Sequence, residues 1–169
     1  MKNAVALTEI EERIYKALDD ASRGLVGERS EEVWTRGLKE ALYDLGAELG
    51  FSVWTRSVRG SHEWLWDMCW ARCEGDDMRT FKGLAMACEI EWGSGSKQLE
   101  DFLKLVVAVA ELKLYVCGVW VAKTEDIFTL LKDVCRACPQ PPNSRYLIVG
   151  VPVIWEYKGE PLPYRAWTV

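Results

Sequence analysis

Trp34, Leu38, Ala41, Leu42, Leu45 and Leu49 recur at the three- and four-residue spacing that gathers side chains on one face of a helix. Ser30 stands before them as a cap, Glu31 and Glu32 suit a helix N-terminus, and Gly50 ends the run. Upstream, Thr8-Glu9-Ile10-Glu11 has capping-box spacing and predicts a helix over about 9–22. Phe51–Arg56 and Glu63–Ala71 are rich in aromatic and branched residues around Arg59-Gly60-Ser61, which reads as an antiparallel hairpin closed by the polar loop Glu74–Asp77. In Leu84–Trp92 the alternation assigns Leu84, Met86, Cys88 and Ile90 to one face of a strand. Ala85, Ala87, Glu89 and Glu91 take the other. Gly93-Ser94-Gly95-Ser96 breaks this strand, and a helix over about 97–110 follows, burying Leu99, Phe102, Leu103, Val106 and Ala110 and exposing Lys97, Asp101 and Lys104. Leu112–Val121 is nearly continuous apolar sequence, as in a strand covered on both faces. Reached through a helical crossover, it should run parallel to the strand before it. A helix over about 125–137 stops before Pro139 and Pro141-Pro142, and Tyr146–Ile154 and Pro163–Trp167 are late strands. The fold class this order predicts is α/β, a mixed sheet flanked by helices.

A chain of 169 residues suits one domain, here 1–169, with a helical extension over 1–30, a core over 31–121 and a helix with strands over 122–169. The 21 Lys and Arg against 26 Asp and Glu leave a net charge of -5, which excludes a general polyanion binder and requires any nucleic-acid contact to be local. The apolar stretch Leu105–Ala110 falls far short of the roughly 20 residues that cross a bilayer, and Met1-Lys2-Asn3-Ala4 does not begin a signal peptide. The expectation is a cytoplasmic protein with no membrane contact. Its six cysteines are then reduced and serve apolar packing. Nine tryptophans are several times the usual frequency; they pack the core or an interface, or stack on bases.

Glu89 and Glu91 share a strand face, with Asp67 on the strand before. Carboxylates buried in a sheet cost several kcal/mol, roughly, unless something positive meets them. A hard divalent cation such as Mg²⁺ would do so. An edge strand whose acids face solvent is the other reading.

The run Ala87-Cys88-Glu89-Ile90-Glu91-Trp92, preceded by a strand carrying Asp67 and followed by the helix Gln98–Leu105, resembles the PD-(D/E)xK nuclease superfamily, which includes many type II restriction enzymes. Its restriction-endonuclease-like core is a helix, a three-strand meander, a helix and a further strand, the order read here over about 31–121. The family's first acid falls on Asp67, its second on Glu89 and its lysine position on Glu91, where glutamate resembles the BamHI-like variant. Leu65-Trp66 precede Asp67 where the family has a proline. The resemblance implies Mg²⁺- or Mn²⁺-dependent hydrolysis of phosphodiester bonds, in DNA, with Asp67, Glu89 and the Ile90 carbonyl on the metal. Glu91 would hold a second ion or orient the water, and Glu31 would add a carboxylate from the preceding helix. Lys97 and Lys104 are the cations nearest to hand for the missing lysine, although both also suit a solvated helix face. A homodimer would cut both strands of a duplex. The alternative is a catalytically inactive nuclease-fold subunit in a DNA-linked system.

Two other constellations compete. Cys69-x3-Cys73 and Cys135-x2-Cys138 together have the makings of a Cys₄ zinc site, whereas an iron–sulfur cluster needs a different cysteine grouping. The single His62 argues against a histidine-based triad. Gly93-Ser94-Gly95-Ser96 lacks the lysine and glycine spacing of a phosphate loop.

Overall fold

Ser30 caps α2 (Glu31–Glu48) by accepting from the Val33 N–H at 3.3 Å. In α1 (Glu9–Gly24) the capping box is reciprocal: Glu11 N–H donates to Thr8 Oγ1 and Thr8 N–H to Glu11 Oε2. The computed structural model describes residues 6–55, 58, 64–74 and 78–169; the turn at Arg59-Gly60-Ser61, His62 and most of the loop Glu74–Asp77 lie outside these.

Six strands follow one another across a single sheet in chain order: β1 (Ser52–Thr55), β2 (Met68–Cys73), β3 (Phe81–Glu91), β4 (Ala110–Val119), β5 (Arg145–Pro152) and β6 (Tyr164–Thr168). β1, β2 and β3 pair antiparallel, β3, β4 and β5 parallel, and β6 antiparallel to β5. The parallel pairs are bridged by α3 (Ser96–Val106) and α4 (Thr124–Ala137). The fold is thus α/β, a mixed sheet flanked by helices. On one face, Ile14 and Leu18 of α1 and Trp34, Leu38 and Leu42 of α2 pack against Met86, Cys88, Ile90, Leu114 and Val149. On the other, Phe102 and Leu105 of α3 and Phe128 and Leu131 of α4 pack against Ala87, Tyr115 and Ile148. The extension read at 1–30 is tied to the sheet: Arg145 at the start of β5 meets the buried Glu11 carboxylate at 2.6 Å from both Nε and Nη2.

Three sequence readings change. The pairing of β2 with β3 slips between Trp70 and Ala71, whose partners are Met86 and Leu84. This bulge at Ala85 reverses the alternation, so Ala85 joins Met86, Cys88 and Ile90 on the α1/α2 face while Leu84 lies with Ala87 on the other. Glu89 and Glu91 keep their shared face, and β3 is a central strand rather than an edge. Second, β2 begins at Met68, so Asp67 sits just before the strand instead of within it. Third, α3 ends at Val106, Ala110 opens β4, and the helix is turned from its expected orientation. Gln98 and Asp101 are buried, whereas Leu103 is 38% exposed. The cause is polar: Gln98 Nε2 donates to the Gly118 carbonyl at 2.7 Å, and Asp101 is neutralised by two lysines. No helix among the described residues is long and apolar enough to cross a membrane.

Candidate functional site

The charged side chains that the resemblance points to lie where β3 ends and β2 begins. Asp67 holds both carboxylate oxygens in contacts: Lys39 Nζ donates to Oδ1 at 2.8 Å and the Ile90 N–H to Oδ2 at 2.9 Å. A strand residue's N–H and C=O leave from the same edge. The Ile90 carbonyl therefore faces the Asp67 side, beyond the last residue of β3 that pairs with β2, Cys88.

Glu89 is 4% exposed and lies beside Asp67. Burial and the Asp67 charge push its pKa up to about 8, against the pull of Lys104. Glu89 Oε1 has no hydrogen-bond partner among the described residues, its nearest cation being Lys104 Nζ at 3.8 Å. Lys104 also meets Asp101 at 2.5 Å, Asp101 meets Lys97 at 2.7 Å, and Lys97 reaches Glu91 at 3.6 Å. The result is a file of charges from Lys39 through the adjacent acids Asp67 and Glu89, then Lys104, Asp101 and Lys97, to Glu91. Within it, burial and a hydrogen bond with Asp101 raise the Glu91 pKa. Asp101 would be raised by burial as well, but hydrogen bonds with Glu91, Lys104 and Lys97 hold it well below the usual carboxylate range.

The site brings together Asp67, Glu89, Ile90, Glu91, Lys97 and Lys104. Glu91 is nevertheless turned toward Asp101 and the Gly93 N–H rather than toward Asp67. Lys97 and Lys104, half exposed, are partners of the acids and not a free solvated face. Glu31 begins α2 and lines a separate pocket with Trp92 and Gly93, outside the charge file. Among the described residues no group of three or more His, Cys, Asp or Glu side chains is arranged to hold a metal ion. Asp67, Glu89 and Glu91 therefore form no preformed three-acid cage, and Cys69, Cys73, Cys135 and Cys138 form no four-thiol site. Burial and the neighbouring Glu89 push the Cys69 thiol up to about 12.

Two residues escaped the sequence reading. Lys39 adjoins the apolar stripe of α2 and is 7% exposed, a lysine on the buried side of an amphipathic helix. Asp101 falls one turn from both Lys97 and Lys104, a Lys-x3-Asp-x2-Lys spacing that clamps one carboxylate between two ammonium groups. Comparison of the chain with protein-family models, with curated proteins and with solved structures returns no match.

Proposed function

We propose that the protein is a divalent-metal-dependent phosphodiesterase acting on DNA. The observation that supports this most is the Asp67–Glu89 pair, a carboxyl just before β2 beside one near the end of the central strand β3, the second of which has its pKa pushed up to about 8. A buried carboxyl whose ionisation is opposed by a neighbouring carboxylate is one where a cation can take the proton's place, since ligand carboxyls are deprotonated as metal binds. The donors fit a hard ion: the Asp67 and Glu89 carboxylates and the Ile90 carbonyl are all oxygens, and Glu89 Oε1 is without a hydrogen bond among the described residues. Mg²⁺ or Mn²⁺ held by these groups supplies Lewis-acid polarisation of the phosphate and activation of a water.

The remaining work falls to the chain's own side chains. Lys39 and the Ile90 N–H fix the orientation of Asp67. Lys104, 45% exposed and beside Glu89, is placed to meet the charge of a phosphodiester, which is the task left vacant by glutamate at position 91. Glu91, held by the Gly93 N–H and beside Lys97, stands at the margin of the site. Alanine at Glu89 is expected to abolish Mg²⁺- or Mn²⁺-dependent nicking of plasmid DNA with the circular dichroism of the folded chain unchanged; retained nicking refutes the assignment.

A second reading has its own observation in favour. Both Asp67 oxygens are already bonded, one of them to a nearly buried lysine, which suits a non-catalytic module whose acids are structural. Calorimetric titration with Mn²⁺ separates the two, because a purely structural network binds no Mn²⁺ above background.

A further inference from the structure

Beside the carboxylates, where β3, β4 and β5 end, lies a pocket of about 420 Å³ with its open mouth included. Trp92, Trp120 and Trp155 line it together with Gly93, Ser94 and Glu31. Trp120 and Trp155 meet edge to face at 6.2 Å, yet they are 48% and 58% exposed, so packing alone does not account for the pair. The pocket and the acids share a wall. Gly93 N–H donates to Glu91 Oε1, and a Cβ at Gly93 would stand 2.8 Å from that oxygen, so the carboxylate lies directly against the loop. Across the charge file, Trp66 precedes Asp67, donates to the Lys104 carbonyl at 3.3 Å and packs edge-on with the exposed Trp64. The acids are thus flanked by indoles on both sides.

The chemistry of the lining selects the occupant. Among the described residues no lysine or arginine lines the pocket, and the charged group there is the Glu31 carboxylate, so a phosphate or other anion is disfavoured. What fits is a neutral, flat ring system with N–H donors at its edge. We propose that the pocket receives an unpaired base of a DNA strand, stacked on Trp120 or Trp155 with Glu31 accepting from its edge. The substrate class is then single-stranded or locally unpaired DNA, because a paired base offers neither its face nor its Watson–Crick edge. This rests on the phosphodiesterase reading for the acids next door.

The test uses the full chain and a fluorescein-labelled single-stranded oligodeoxynucleotide of about a dozen mixed bases, with its blunt duplex as control. Anisotropy is read in EDTA, so that binding does not depend on metal chemistry. The single strand is expected to bind at least about tenfold more tightly than the duplex. The double variant Trp120→Ala/Trp155→Ala should lose about tenfold or more for the strand, with Trp155→Phe largely retaining affinity, in keeping with base–aromatic stacking. Equal binding of strand and duplex, or a double variant that binds the strand like the parent, overturns the pocket assignment. Cleavage of the same oligonucleotides in Mn²⁺ is scored separately. A parent protein that binds the strand as expected but never cuts it leaves the pocket standing and removes the nuclease; cutting by a protein whose tryptophan variants bind normally does the reverse.

Discussion

Replacing Glu89 with glutamine isolates the electrostatics of the acidic pair. In the folded chain this carboxyl ionises near pH 8, whereas in the unfolded chain it ionises near its ordinary value of 4.5. Between those limits the folded state holds a proton that the unfolded state has released, so unfolding sheds protons and stability falls as pH rises. The contribution is fully present below about pH 4.5 and is lost as pH climbs through 8. Each pH unit inside the window is worth about 1.4 kcal/mol. Across it the ceiling is about 5 kcal/mol, which at about 2–4 °C per kcal/mol for a domain of this size is a Tm difference of about 10–20 °C. Glu89→Gln keeps the shape and cannot ionise. Thermal melts of parent and variant in EDTA should coincide near pH 5 and separate toward pH 9, the parent becoming the less stable. Melting curves that stay parallel across the range would mean that Glu89 ionises normally and that no proton is trapped beside Asp67.

Three other changes probe the scaffold. Lys39→Met strips Asp67 of its buried cation and should cost about 3 kcal/mol in urea unfolding, because removing one partner leaves a poorly solvated charge behind; an unchanged midpoint would mark the pair as incidental. Arg145→Ala deprives the buried Glu11 of its bidentate partner and should cost about 3–5 kcal/mol, with hydrogen exchange accelerated in the first turn of α1. Gly46→Ala should destabilise by about 1–3 kcal/mol although alanine is favoured over glycine in a helix by about 1 kcal/mol, since the new Cβ would lie 2.6 Å from Trp70 Nε1 and 2.7 Å from Val53. A rise in Tm would show that Trp70 yields without penalty.

The helices were legible where apolar spacing and capping chemistry agree, as in α1 and α2, and the parallel β4 followed from its unbroken apolar run and the crossover length. The acids of β3 were legible as a pair because their two-residue spacing lies beyond the bulge and is untouched by it. What the one-dimensional pattern could not carry was the bulge itself. It depends on how β2 meets β3, and it moved Leu84 to the opposite face. The orientation of α3 was hidden for a related reason: polarity marks Asp101 as a surface residue, and only its two lysine partners make burial tolerable. Lys39 was missed because its partner lies 28 residues away, across a packed layer.

The sheet is also unusual in its bookkeeping of neighbours: each strand lies beside the one made just before it. During synthesis every new strand therefore meets an edge already in place, and no strand has to insert between two others. The bonds between α1 and the last part of the chain, from Arg145 to Glu11, from Tyr15 to the Leu162 carbonyl and from the Leu162 N–H to Asp19, close only after most of the polypeptide has been made. A nascent chain halted before that arginine would carry β1 to β4 with α1 held only by its packing on α2 and those strands, the state in which a chaperone or protease would find that helix most accessible.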